Sequence, residues 1–441
     1  MLFDTICAIS TPLQEGAIGI VRLSGTEAIS IADQIFTKDL VKVESHTITY
    51  GYIIEDQQLI DEVLISVFRA PKSYTCEDVV EISCHGSVYI IRKILSLCIT
   101  HGARLALPGE FTQRAFLNGR IDLSQAESVN DIVLSKSANQ AKLAIKVIRG
   151  SVTRLLEPLI QKMLDIIANI EVNIDYPEYE DIKQISDEMV LPALKTWGDE
   201  LDIIIKQAEN GRIINTGIKT VIVGEPNVGK SSLLNALLEE DKAIVTDIPG
   251  TTRDLVEGII QLDHIILNLI DTAGLRETED VIEIIGIDKT KKAIDEADLV
   301  IIVLDATKVI NDYEKQLIDM TKDKKQLIVY NKADLAGFSN QLSISALNKD
   351  IKPLIQAIEQ MFATQIMVID QDILNNERQI ALAKQARLSI SQAIQALHDE
   401  MELDLVLIDI EKAYFYLKSI LGTVNDGDLL DTLFSNFCLG K

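Results

Sequence analysis

Eight consecutive residues, Gly224-Glu225-Pro226-Asn227-Val228-Gly229-Lys230-Ser231, constrain this chain more than any other stretch. A glycine, four free positions and then Gly-Lys-Ser is the pattern of a loop that wraps phosphate. The apolar, β-branched run Ile218–Val223 before it predicts a buried strand, and Ser232 to Leu238 after it predicts a helix. In that context the loop's N–H groups and the helix N-terminus attract phosphate oxygens. Val228, Gly229, Lys230, Ser231 and Ser232 are therefore expected to cradle a nucleotide. Lys230 would reach the β- and γ-phosphates as a catalytic cation, and Ser231 would ligate Mg²⁺.

The base is read downstream. Asp271-Thr272-Ala273-Gly274 follows the apolar run Ile265–Ile270, where an aspartate can hold the Mg²⁺ water shell and a glycine N–H can sense the γ-phosphate. Asn331-Lys332-Ala333-Asp334 follows the strand-like Gln326–Tyr330. The Asp334 carboxylate can accept the two ring-edge protons of guanine, which adenine does not offer. Asn331 can serve N7 and brace the loop, and Ser345-Ala346 can give a backbone N–H to O6. In this order and context the motifs resemble the GTPase branch of phosphate-loop proteins and point to GTP. Between them, Thr246-Asp247-Ile248-Pro249-Gly250-Thr251-Thr252-Arg253-Asp254 sits where such proteins close on Mg²⁺ and the γ-phosphate, with Thr252 the expected ligand.

Leu275 follows that Gly274, where Ras-like proteins carry a water-orienting glutamine. Water and charge must then be handled elsewhere. An amide oxygen at Asn227 can hold a monovalent cation beside the phosphates and do electrostatically what an arginine finger does. It reads equally well as a turn-stabilising side chain. Glu283 can position water, although on spacing alone it reads first as a solvated helix-face charge.

With 441 residues, 47% of them apolar, the chain can build about three domains. No run is long and apolar enough to span a bilayer, and Met1 to Thr5 shows no basic-then-apolar leader. Five cysteines without metal-ligand spacing suit a reduced, cytoplasmic setting. The net charge of −25 opposes broad adhesion to nucleic acid, so any RNA contact needs a local basic site or a basic partner.

Residues 1–120 read as mixed α/β, with strands at Ile18–Leu23, Val63–Phe68 and Val79–Ser83 and a helix over Ser87–Thr100. Arg22 and Glu81 fall inside strands, where exposure at an edge is the usual explanation. Cys84-His85 without further ligands reads as structural. From Asp122 the pattern turns helical, with Ser124 and Glu127 predicting a capping box. It continues through Val147, Leu155, Leu159, Met163 and Ile166, and a further helix is expected over Asp187 to Asn210. Helical spacing resumes after Asp370, where Ile390, Ile394, Leu397 and Met401 form an apolar stripe. The pattern predicts a helical domain, 121–215 plus 365–441, interrupted by a folded module, 216–364. The ending Leu429 to Lys441 is apolar and carries one thiol. It reads as a docked helix or as a tail that brings Cys438 near chemistry.

Asp247-Ile248-Pro249-Gly250-Thr251-Thr252-Arg253-Asp254, Asp271-Thr272-Ala273-Gly274-Leu275-Arg276, Pro108-Gly109-Glu110-Phe111-Thr112 with Arg114-Ala115-Phe116-Leu117-Asn118, Asp122-Leu123-Ser124-Gln125-Ala126-Glu127, and Phe437-Cys438-Leu439-Gly440-Lys441 together resemble the MnmE (TrmE) family of tRNA-modification GTPases over essentially the whole chain. The resemblance implies a mixed α/β N-terminal domain that binds folate and forms a homodimer, a helical bundle domain, and an inserted Ras-like P-loop GTPase domain. It implies a heterotetramer with the flavoprotein MnmG (GidA). That complex adds a carboxymethylaminomethyl or aminomethyl group at carbon 5 of the wobble uridine of certain tRNAs. The carbon comes from 5,10-methylenetetrahydrofolate, while FAD and NADH belong to the partner. Carried over residue by residue, K⁺ sits at Asn227 with carbonyls of the following loop at Thr246, Ile248 and Thr251, and Glu283 orients water. Arg22, Glu81, Arg120 and Lys441 contact folate, and Cys438 is the tail thiol. The family's glycine-rich turn reads Cys84-His85-Gly86-Ser87 here. The competing reading is a GTPase switch in ribosome or RNA assembly, without modification chemistry. It explains the nucleotide motifs but leaves the N-terminal blocks and the tail unused.

Overall fold

A computed structural model describes residues 4–175, 187–239, 256–262, 265–270, 291–336, 341–363, 371–422, 433–434, 437 and 440. The chain divides into two compact units, residues 1–133 with 418–441, and residues 134–417.

The first unit is built on β1 (Ile6–Ile9), β2 (Ile18–Ser24), β3 (Thr47–Glu55), β4 (Gln58–Phe68), β5 (Val79–His85) and β6 (Arg104–Leu105), in the order β3-β4-β5-β2-β1-β6. All pairings are antiparallel except β1 with β6. Helices α1 (Ala28–Gln34), α2 (Val88–Thr100), α3 (Glu110–Leu117) and α4 (Leu123–Leu134) complete it. The core joins sheet residues such as Val21, Leu23, Ile65 and Ile82 to Ile31, Ile91 and Ile94 of the helices. Alternation in β2 puts Val21 and Leu23 on that buried face, and turns Arg22 to the other.

The strand charges are not at an edge. β2 and β5 both lie inside the sheet, with Arg22 directly opposite Glu81. Pairing, not edge exposure, is what admits them. The capping box of α4 also sits two residues earlier than expected. Asp122 Oδ1 accepts from the Gln125 N–H at 2.8 Å, and Gln125 Oε1 accepts from the Asp122 N–H at 2.9 Å. Aspartate is at least as good an N-cap as serine, so Asp122 starts the helix and Ser124 is buried inside its first turn.

The second unit has long helices α5 (Ala138–Ile148), α6 (Ser151–Asp175) and α7 (Asp187–Thr216). Helical spacing runs on past Leu134, but a new cap at Ser137, which accepts from the Gln140 N–H, and Gly150 at φ +81° cut it into separate helices. Helix α7 runs beyond Asn210 to Thr216, and Gly217 at φ +75° then leads into a strand. That strand, β7 (Ile218–Val223), is the centre of a sheet ordered β11-β10-β7-β9-β8. Its other members are β8 (Val256–Gln261), β9 (Ile266–Ile270), β10 (Leu299–Asp305) and β11 (Lys325–Asn331). Only β8 is antiparallel. Parallel strands are covered on both faces, and β10 is accordingly buried along its whole length. Helices α8 (Lys230–Glu239), α9 (Asp312–Met320), α10 (Ala333–Ala336) and α11 (Lys352–Met361) belong to this sheet's layers.

Helices α12 (Glu377–His398) and α13 (Leu403–Leu421) follow. The buried stripe of α12 is Ile380, Ala383, Ala386, Ile390, Ala393 and Leu397, while Ile394 is half-buried and Met401 lies exposed beyond the helix. Ile390 and Leu397 of the expected stripe lie on this face, and the alanines, small enough for close approach to α7, take the places expected of Ile394 and Met401.

Candidate functional site

The phosphate loop is held from behind. The Asn331 side chain donates to the Val228 carbonyl at 2.9 Å and accepts from the Ala346 N–H at 3.0 Å, both buried. Asn331 thus braces the loop, and the Ala346 N–H that the sequence offers to a base is engaged by Asn331. Gly229 has φ +97°, and a Cβ there would lie 2.2 Å from Asn331 Nδ2, so both conformation and space demand glycine. Lys332 reaches forward, donating to the Asn227 carbonyl at 2.9 Å and to Asp305 Oδ2 at 2.7 Å. Two successive residues of the Asn331–Asp334 motif therefore clamp two successive residues of the phosphate loop. Ser345 Oγ donates to Asp334 Oδ1 at 2.6 Å and orients that carboxylate.

Asn227 itself lies at φ +66° with an exposed side chain, in the left-handed region that asparagine tolerates better than most residues. The Lys230 ammonium donates to the carbonyls of Gly224 at 2.9 Å and Glu225 at 2.6 Å. Burial pulls its pKa below the ordinary lysine value, and the Glu225 charge opposes that shift. Asn311 caps α9 and also donates to Glu225 Oε1 at 2.6 Å, tying the loop to a third element. Ser231 and Ser232 lie in the first turn of α8, both exposed. Thr246, Asp247, Ile248, Pro249, Gly250, Thr251 and Thr252, then Asp271 to Gly274, Leu275 and Glu283, lie outside the described residues.

Sequence reasoning missed Asp305. Burial alone would raise its pKa, but the Lys332 ammonium, with the Thr307 hydroxyl and N–H, holds it down at about 2. Its signal was available: an aspartate closing the wholly apolar run Leu299–Leu304, one strand from the phosphate loop.

A second constellation lies in the first unit. Arg22 grips Glu81 Oε1 through Nε at 2.8 Å and Nη2 at 2.7 Å. Its Nη1 donates to the Gly440 carbonyl at 3.1 Å, which also accepts from Ser10 Oγ at 3.3 Å. Arg22 stands over the rings of Tyr74 and Phe111 at 5.9 and 5.6 Å. Arg120 lies 4.8 Å from the Tyr74 ring centre and donates to the Tyr74 carbonyl at 2.9 Å. A cavity of about 300 Å³ is lined by Arg22, Glu81, Phe68, Tyr74, Val79 and Val129. A more open one of about 450 Å³ adjoins it, sharing Phe68 and Tyr74 and including Arg120. Sequence reasoning named Arg22, Glu81 and Arg120 but neither aromatic wall. Cys438 and Lys441 lie outside the described residues.

The tail that brings Gly440 here is seated by Phe434 and Phe437, buried with Leu123 and Ala126. At Gly109, φ +69°, a Cβ would sit 2.7 Å from the Phe434 carbonyl, so this glycine admits the tail. Cys84 is buried and donates to the Gly19 carbonyl, and burial raises its thiol pKa to about 11, as it does for Cys7. The neighbouring His85 pairs with Asp61 at 2.7 Å, which raises its pKa. Among the described residues no cluster of His, Cys, Asp or Glu could hold a metal, and no helix is long and apolar enough to cross a membrane.

Residues 5–120 match the family model for the GTP-binding protein TrmE N-terminus, and residues 123–438 match that for the MnmE helical domain. A tRNA modification GTPase MnmE of Lactococcus lactis subsp. cremoris is 46% identical over 449 residues, spanning 100% of this chain and 99% of the relative. One from Enterococcus faecalis is 44% identical over 460 residues, with the same coverage. Among solved structures, Era in complex with MgGDPNP and nucleotides of 16S ribosomal RNA aligns with 39% of this chain and 66% of its own. With a TM-score of 0.25 and 23% identity, that likeness carries no functional weight.

Proposed function

Since the chain belongs to the MnmE family of tRNA modification GTPases, we propose that it hydrolyses GTP with K⁺ stimulation and, with the flavoprotein MnmG, modifies carbon 5 of the wobble uridine of certain tRNAs. The observation that carries the nucleotide part is the double clamp of Asn331 and Lys332 on Val228 and Asn227. It couples the residues expected to recognise the base to those expected to hold phosphate, so one ligand would organise both.

The loop fits a triphosphate in its lack of Cβ space at Gly229 and in its place at the α8 N-terminus. Lys230 and Ser231, with Thr252 and Asp271, would hold phosphate and Mg²⁺. Asp334, oriented by Ser345, would accept the guanine protons. The exposed Asn227, with the carbonyls of Thr246, Ile248 and Thr251, would hold K⁺, and Glu283 would orient water. A cation there supplies positive charge beside the phosphates and answers for the leucine at 275.

The 300 Å³ cleft suits the heterocycle of a reduced folate, with 5,10-methylenetetrahydrofolate as one-carbon donor. Arg22 and Glu81 present a donor and an acceptor side by side, and Phe68 and Tyr74 offer apolar walls. Arg120, Lys441 and the Cys438 thiol complete the proposed site. We assign residues 1–120 to folate binding and homodimerisation. Residues 216–364 would be the GTPase domain, inserted in a helical domain of 121–215 plus 365–441, and the assembly would work in the cytoplasm.

GTP turnover in K⁺ against Na⁺ at equal ionic strength, for the wild type and Asn227→Ala, tests the mechanism. Removing an electrostatic stabiliser of this kind costs about 100-fold, so K⁺ should stimulate strongly and Asn227→Ala should abolish the stimulation. Equal rates in the two salts would refute the cation and favour the plain switch.

A further inference from the structure

We propose that the open cavity beside the Arg22–Glu81 cleft is a subsite for an oligo-anionic tail. Its occupant is the chain of γ-linked glutamates that folates can carry, so the protein prefers polyglutamylated to monoglutamylated ligand. The inference rests on the reading of the smaller cleft as a reduced-folate site.

The two cavities share two walls, Phe68 and Tyr74. Arg22 lines the smaller and Arg120 the larger, and both guanidinium groups stand against the Tyr74 ring. A folate whose fused ring lies at Arg22 and Glu81 would lay its aromatic middle along these shared walls. Its carboxylate end would then enter the larger space.

That space has the right chemistry. Lys72, Arg120 and His46 line it, with no carboxylate among the described lining residues. In a chain of net charge −25 this is a local reversal of sign, and a cleft lined by one sign of charge concentrates ions of the other. Among the described residues Lys72 makes no ion pair. Lys72, Arg120 and His46 are all exposed. A polyanion can meet them without the heavy desolvation cost of a buried pair. Each such contact is weak, and several act together.

The wall that carries Lys72 is also fixed in place. Asn118 donates to the Thr75 carbonyl at 2.6 Å, Tyr74 and Thr112 share a hydrogen bond of 2.9 Å, and Ser24 donates to Glu77 at 2.7 Å. Buried Arg114 donates to both oxygens of Glu77 at 3.2 Å. A loop pinned at Tyr74, Thr75 and Glu77 loses little freedom when ligand arrives.

The test is calorimetric titration of the full chain with a reduced folate bearing one glutamate and with the same folate bearing five. It is run in low and high salt, on the wild type and Lys72→Glu. The pentaglutamate should bind about 3–10-fold more tightly at low salt, the sum of a few exposed ion pairs. Salt should shrink the ratio. Lys72→Glu should bring it to one or below, weakening the pentaglutamate more than the monoglutamate, which places fewer carboxylates in the larger space. Equal affinities in the wild type, or a preference that survives Lys72→Glu, would overturn the subsite and leave the reduced-folate reading standing. Failure of both ligands to bind would overturn the two together.

Discussion

Asp305 ends a strand with its side chain 3% exposed, and Lys332 is its counter-ion. A buried carboxylate is tolerated only while that partner stays, because an uncompensated charge is costly to hold away from water. Lys332 is 32% exposed, so water softens the loss when it goes. Lys332→Met should cost about 1–3 kcal/mol at neutral pH, below the value for a fully buried pair. The pH dependence has a definite sign. The folded pKa of Asp305 is about 2, below the unfolded value. The stabilisation is therefore complete above the unfolded carboxylate range and lost as pH falls toward 2. In Lys332→Met the Asp305 pKa should rise, and acid unfolding should begin at higher pH. Urea titrations across acid pH check both, and coincident curves for variant and wild type would remove the pair from the stability of the site. At this scale the sequence was legible where a motif fixes a contact, as in the bracing of the phosphate loop by Asn331. It was not legible where a side chain meets another across the sheet. Nothing local to Asp305 names Lys332, and nothing local to Arg22 names Glu81, because register decides both.

Elements show the same division. Strands β2, β5, β7 and β11 were legible from β-branched runs bounded by turns, because the apolar pattern records burial directly. The start of α4 and the alanine part of the buried face of α12 were not, since both turn on competition: one cap against another, and alanine against larger residues for close approach. The pair α6 and α7 carries a further consequence. Pro158 lies inside α6, and the Trp197 indole of α7 donates to the carbonyl of the next residue, Leu159, at 2.9 Å. Trp197 is 1% exposed, so the contact is dry. Trp197→Phe loses that hydrogen bond and leaves a void. Losing the bond costs about 1 kcal/mol and the void adds to it, for a total of about 2–3 kcal/mol. Denaturation followed by circular dichroism measures it, and a cost under about 0.5 kcal/mol would show the helices repacking around the smaller ring.

At the scale of the molecule, the first unit is assembled from both ends of the sequence, residues 1–133 and 418–441. Its cleft includes Arg22 from an early strand and, through that residue, the Gly440 carbonyl. Removing Gly440 and Lys441 should weaken reduced-folate binding by about 10-fold or more, the worth of one hydrogen bond to a charged group. GTP affinity should stay unchanged, since the phosphate loop lies in the other unit. Equal folate affinity in the shortened protein would mean that Arg22 needs no support from the tail. The same architecture sets an order of events on the ribosome. Early strands can pair as they emerge, but the apolar seat for Phe434 and Phe437 must wait until the residues between the two segments have been translated. At roughly 5–20 residues per second, that interval is on the order of 15–60 s. A chain released early would carry the phosphate loop without the finished cleft, and would leave the surface around Leu123 and Ala126 open to chaperones and proteases.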